Sequence, residues 1–174
     1  WGVDFGLLGP NDLLIEMPRH YRDPRTDGMV EEAARRVPLS EIYAATGVQI
    51  MQLNTLYQLL SVALKNPWLL DAAQTLLMMP DIFNFWLSGV KTNEFTIATT
   101  SQMYSPISCG WAFSLVERLG IPSHVLGSIT QPGTVLDRLR ADVAEETSAN
   151  RVPVIAVTCH DTASAVAASP LAGG

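Results

Sequence analysis

The chain has 174 residues, 48 % of them hydrophobic and 16 % charged, with a net charge of −6. That length suffices for one domain with its own core, and the acidic balance excludes the basic face that nucleic-acid binding demands. No apolar run is long enough for a transmembrane helix, and the opening Trp1-Gly2-Val3-Asp4-Phe5 lacks the basic start of a signal peptide. The charged fraction lies well under the roughly 25 % of a typical soluble domain. Two readings follow: a hydrophobic protein, or an apolar surface that further polypeptide covers.

Residues 1–8 read as a strand, Gly9-Pro10-Asn11-Asp12 as a turn, and 13–17 as a returning strand, so the chain is expected to open with a hairpin. Arg19 to Gly28 is polar and loop-like. Asp27 is placed to cap a helix running to Arg36, with Glu31 and Glu32 early and Arg35 and Arg36 late, as the helix dipole favours. Ser40 precedes a short helix that stops at Gly47. Asn54 precedes the helix TLYQLLSVALK, and Asn66-Pro67 opens a further helix over WLLDAAQTLLMM. A segment from Pro80-Asp81 ends at Gly89. The Thr-rich stretch 92–104 reads as a loop with a helical turn, 109–119 as a helix, and 133–139 as a turn with a short helix. Pro153 to Cys159 is an apolar, β-branched run without alternation, as in a strand buried on both faces. His160-Asp161 and a small-residue helix follow at once. The two end segments, 1–17 and 152–159, are expected to lie side by side in one sheet, with helices between them.

A polar pair between a buried strand and a helix is the usual geometry of a ligand site. Asp161 is therefore the leading candidate for a general base that accepts a proton from a substrate hydroxyl. Capping the helix is the competing role, and the two are compatible. His160 is a candidate to orient a hydroxyl or bind a metal, against a purely structural hydrogen bond. Cys159, His160 and Asp161 are not read as a catalytic triad, because neighbours on an extended strand point in opposite directions. Gly2 would let backbone approach a ligand closely; an edge strand is the alternative. Tyr21, Arg22 and Arg25 offer a ring and two guanidinium groups to a sugar, or form a solvated loop. Asn54, Tyr57 and Gln58 share one helix face, for which a polar surface is the simpler account. No G-x-x-x-x-G-K-[ST] and no G-x-G-x-x-G occurs. Cys109 and Cys159 have no metal spacing and are expected as reduced thiols in a cytoplasmic protein.

Seven blocks, WGVDF at 1–5, YRDPRT at 21–26, NTLYQL at 54–59, LLMMPDIFNFWLSG at 76–89, NEFTIATTSQ at 93–102, PGTVL at 132–136 and PVIAVTCHDTASAVAASPL at 153–171, carry a resemblance to carbohydrate kinases of the FGGY family. They follow in family order across nearly the whole chain, and HDTASAV, NTLYQL and WGVDF resemble the branch that phosphorylates the 1-hydroxyl of L-rhamnulose. The resemblance implies a helix-rich α/β fold, part of a ribonuclease-H-like (actin-like ATPase) N-terminal domain. On this reading residues 1–174 are a partial sugar-binding domain, with a phosphate loop upstream and a nucleotide-binding domain downstream that are not in this chain. It implies Asp161 as the catalytic base, sugar contacts from Gly2, His160 and Thr162, no protein metal ligand here, and ATP with Mg2+ as the phosphoryl donor. The expected partners are a small sugar and ATP, without nucleic acid or membrane, and the chain alone is expected to self-associate. Another ketose or deoxy-sugar kinase of the family, or a non-catalytic sugar-binding remnant, are the alternatives.

Overall fold

A computed structural model describes residues 2–170. Strand β1 (Phe5–Leu8) pairs antiparallel with β2 (Thr75–Met78), Phe5 facing Met78 and Leu8 facing Thr75. Between them lie four helices: α1 (Met29–Arg36), α2 (Leu39–Thr46), α3 (Thr55–Lys65) and α4 (Pro67–Ala72). Then come α5 (Met79–Ser88), β3 (Asn93–Glu94), α6 (Phe95–Thr100), β4 (Tyr104–Ser105), β5 (Gly110–Trp111), α7 (Phe113–Arg118), β6 (Ile129–Thr130), β7 (Thr134–Arg138), α8 (Ala141–Thr147), β8 (Pro153–Ala156) and α9 (Asp161–Ala168). The strands pair as β1–β2, β3–β6, β4–β5 and β7–β8, and of these four pairs β3–β6 is the parallel one.

The helices follow most of their local signals, but the N-cap of α1 is Gly28 rather than Asp27, and Asn54 precedes α3 without a side-chain capping bond. In α1, Glu32 reaches both Arg35 (2.8 Å) and Arg36 (3.2 Å), the i,i+3 and i,i+4 partners that a helix brings together. Gly47 and Gly89 end α2 and α5 with φ of 69° and 80°, a conformation in which a Cβ would be strained. The core gathers around α3, buried from Thr55 to Val62, and around Leu69, Leu70, Leu76 and Met78.

Several expectations are corrected. The segment 67–78 is one helix only as far as Ala72; Ala73 turns extended, and Thr75–Met78 becomes a strand because β1 offers its backbone edge. Residues 13–17 make a single bridge, Leu8 to Leu14, rather than a second hairpin strand. Residues 109–119 split into β5 and α7. Residues 134–138 form a strand, not a helix. The two end segments lie in different sheets, since β2 occupies the edge of β1 and β7 is the partner of β8. Nor is β8 buried on both faces: Ala156 is buried, while Pro153 and Ile155 are exposed.

Candidate active site

A cleft of about 620 Å³ opens between the segment before β1, the N-terminal ends of α3 and α5, helix α6 and the link from β8 to α9. Gly2, Val3, Asn54, Pro80, Ile97, Thr99 and Thr100 line it, with Cys159, His160 and Asp161 on one side and Val48, Met51 and Leu53 supplying further apolar wall. Gly2, His160 and Asp161 thus share one cavity although 158 positions separate Gly2 from His160.

Gly2 is packed closely against α6. A Cβ there would lie 2.8 Å from Ile97 Cδ1, inside normal contact distance. The backbone after it is pinned by α3: Thr55 Oγ1 (2.7 Å) and Gln58 Nε2 (3.1 Å) both donate to the Val3 carbonyl. Gln58 also donates to the Leu53 carbonyl and accepts from Arg25 Nη2 at 2.8 Å. Asn54 donates to Gln102 Oε1 and to the Gln49 carbonyl. Asn54, Tyr57 and Gln58, expected on a polar surface, are therefore buried, at 1 %, 0 % and 0 % exposure. Two of them satisfy backbone groups that no ladder reaches. Tyr57 is packed without a partner for its hydroxyl, and burial pushes its pKa up to about 12.

In the 21–25 loop only Tyr21 faces the cleft. Arg25 turns inward to Gln58 and sits 5.8 Å from the Phe5 ring centroid. Arg22 folds onto its own neighbour, donating to the Tyr21 hydroxyl at 3.1 Å.

Asp161 is the first residue of α9, with His160 at the N-cap position. Its Oδ1 accepts from the Thr162 N–H at 2.7 Å and lies 3.4 Å from Thr162 Oγ1. His160 Nε2 is 3.7 Å from the same oxygen. The Asp161 carboxylate is otherwise open, its side chain 98 % exposed, so it is free to meet a substrate. Thr162 steadies this carboxylate and is not itself on the cleft wall. Burial above all, with Asp81 and Glu94 nearby, pushes the Cys159 thiol up to about 12, which disfavours the reactive thiolate.

Behind the link lie two buried acids that the sequence did not single out. Glu94 caps α6, accepting from the N–H groups of Thr96 and Ile97, and also accepts the Cys159 N–H at 3.1 Å. The Asp81 carboxylate accepts the Glu94 N–H at 3.0 Å; burial, reinforced by the Glu94 charge, lifts its pKa from 3.8 to about 7. An acid directly before FTIATT is the ordinary signature of a capped helix, and that was the available signal for Glu94. Among the described residues no group of three or more His, Cys, Asp or Glu side chains is placed to hold a metal ion. Among the same residues no helix is long and apolar enough to cross a membrane.

Residues 7–168 match the N-terminal domain of the FGGY family of carbohydrate kinases, and the chain belongs to that family. It is 41 % identical over 170 residues to a rhamnulokinase of Oceanobacillus iheyensis, covering 98 % of this chain and 36 % of the relative. It is 39 % identical over 170 residues to a rhamnulokinase of Bacteroides thetaiotaomicron, covering 98 % of this chain and 35 % of that protein. The chain thus spans about a third of the length of the curated relatives it matches. Among solved structures, xylulose kinase from Rhodospirillum rubrum superposes with a TM-score of 0.86 at 22 % identity, over 98 % of this chain and 35 % of that one. Ligand-bound xylulose kinase from Lactobacillus acidophilus gives 0.80 at 21 %, over 88 % and 32 %. These neighbours share the fold.

Proposed function

We propose that this chain is the sugar-side wall of an ATP-dependent kinase that phosphorylates the 1-hydroxyl of L-rhamnulose. The observation that carries the reading is the meeting of Gly2, His160 and the open Asp161 carboxylate in one cleft. The rhamnulokinases at about 40 % identity supply the sugar. Asp161 accepts the proton as the sugar hydroxyl oxygen bonds to the γ-phosphorus, and ADP leaves with the electron pair of the broken bond. His160 and the Gly2 backbone hold the sugar, and Thr162 orients the base. Magnesium held by the nucleotide would supply neutralisation of the phosphate charge, and no residue of this chain is assigned to it. The groups that hold ATP lie outside these 174 residues, which form part of the N-terminal sugar-binding domain. A cytoplasmic location suits the reading, with ATP at hand and Cys109 and Cys159 as free thiols.

L-Rhamnulose is a 6-deoxy ketose and so presents a methyl group. Val48, Met51, Leu53 and Ile97 on the cleft wall suit that group better than a hydroxyl on carbon 6, which would be left without a partner. The second reading is a family kinase for another ketose or deoxy sugar.

The test is coupled ADP release by a chain spanning the full length of the relatives, with L-rhamnulose, L-fuculose, D-xylulose and glycerol as acceptors and magnesium present. L-Rhamnulose should be the best substrate. Asp161→Asn should lower its turnover by roughly 100-fold or more with little change in sugar affinity, as for loss of a general base. Unchanged turnover would remove Asp161 from the chemistry, and a preference for D-xylulose would reassign the sugar.

A further inference from the structure

We infer that Glu94 and Thr96 are positioning residues for the base, acting through the backbone of Cys159 and His160; the inference rests on the role proposed for Asp161. The Asp161 side chain is almost fully exposed and bonds only within its own turn of α9, so its place in the cleft is set by where its backbone is held. That backbone is held from α6. Glu94 Oε2 accepts the Cys159 N–H at 3.1 Å, and Thr96 Oγ1 accepts the His160 N–H at 3.2 Å. The Thr96 hydroxyl spends its one proton on Glu94 Oε2 at 2.5 Å, which fixes the direction of the chain of bonds: His160 donates to Thr96, and Thr96 donates to Glu94.

Glu94 is fully buried and receives four donors: the N–H groups of Thr96, Ile97 and Cys159 and the Thr96 hydroxyl. Three of these reach Oε2 and one reaches Oε1. Asp81 anchors the Glu94 backbone in turn. The same helix that makes these bonds carries Ile97, Thr99 and Thr100 into the cleft. Glu94 and Thr96 thereby tie the backbone of the base to the helix that carries this wall of the cleft. Misplacing a catalytic group by about 1 Å is enough to cost on the order of 100-fold in rate.

Thr96→Val removes the hydroxyl while keeping the branched shape, and Thr96→Ser keeps the hydroxyl. In the full-length enzyme, Thr96→Val should lower kcat by about tenfold or more, with KM for the sugar within about threefold. Thr96→Ser should stay near wild type. Amide hydrogen exchange supplies a readout without turnover: the Cys159 and His160 amides should exchange about tenfold faster or more in Thr96→Val and at the wild-type rate in Thr96→Ser. A kcat within about twofold of wild type in Thr96→Val overturns the inference. So do unchanged exchange at these two amides, or equal losses in the Val and Ser variants. If Asp161→Asn retains activity, the base assignment fails and the inference falls with it. A dead Asp161→Asn beside a normal Thr96→Val removes the inference alone.

Discussion

Asp81→Asn should make the protein more stable at alkaline pH and leave it little changed at acid pH. Asp81 is fully buried in the first turn of α5, with Oδ1 on the Glu94 N–H and Oδ2 without a hydrogen-bond partner. Burial raises its pKa from 3.8 to about 7. The folded state therefore holds this proton more tightly than the unfolded chain does. The resulting stability is fully present below about pH 4 and is lost as pH rises toward 7. A rise of about 3 units, at 1.36 kcal/mol per unit, bounds the loss at roughly 4 kcal/mol. Asparagine keeps the carbonyl that accepts from Glu94 and cannot ionise, so it escapes that loss. The assay is urea unfolding of both proteins at intervals from about pH 4 to 8.5. The difference between the two curves cancels the groups they share. It should grow by about 1–4 kcal/mol in favour of the amide variant across pH 4 to 7, and then level. Parallel curves, or an equal destabilisation at both ends, would refute the reasoning.

Gly2→Ala should cost about 1–2 kcal/mol and raise the sugar KM, because its Cβ meets Ile97 Cδ1 at 2.8 Å. Adding Ile97→Val deletes that methyl and should restore much of both, and a double-mutant cycle with no coupling would count against the contact. The 174-residue chain alone should release no ADP above background with L-rhamnulose and MgATP, since the contacts that align the γ-phosphate are assigned outside it; activity comparable to the full-length protein would overturn that assignment. The same chain should self-associate through the face where α5 packs on β7 and β8 and leaves Trp86, Val135 and Ile155 exposed, and a monomeric mass by light scattering at high concentration would argue otherwise.

Helices that end on a glycine or carry charge-matched turns were legible in the sequence. Gly47 and Gly89 mark the ends of α2 and α5 correctly, and the Glu and Arg residues of α1 sit where the dipole argument puts them. Strands β2 and β7 were not legible. The run QTLLMM continues an apolar helix without a break in pattern, and only the edge of β1, far earlier in the chain, turns it into a strand. For Asn54 and Gln58 the failure has a different cause. Gln58 lies in α3 and Asn54 at the extended position just before it, and polarity alone points to exposure for both. Both are buried because distant backbone needs donors: Val3 accepts from Gln58 across 55 positions. The local unit of strand, His160-Asp161 and helix was legible from adjacent residues, whereas the acids behind it were not, since Glu94 meets Cys159 across 65 positions.

The site divides its polar groups by what each must do. A base has to stay open to its substrate, and Asp161 does, so packing cannot hold its side chain. Rigidity has to come from buried groups that touch only backbone and the hydroxyl beside it. Glu94 meets that need because its four donors satisfy a charge that would otherwise be costly to bury. Asp81 has one oxygen unpartnered, and burial, reinforced by the Glu94 charge, pushes its pKa up to about 7. The rise at Asp81 also limits repulsion: near neutrality it is protonated for much of the time, which leaves Glu94 as the charge that binds the amides before Asp161. Raising the pH ionises Asp81 beside Glu94 and strains the anchor of the base from behind, so the stability lost as pH climbs from about 4 to 7 is drawn from the support of the site rather than from its open carboxylate.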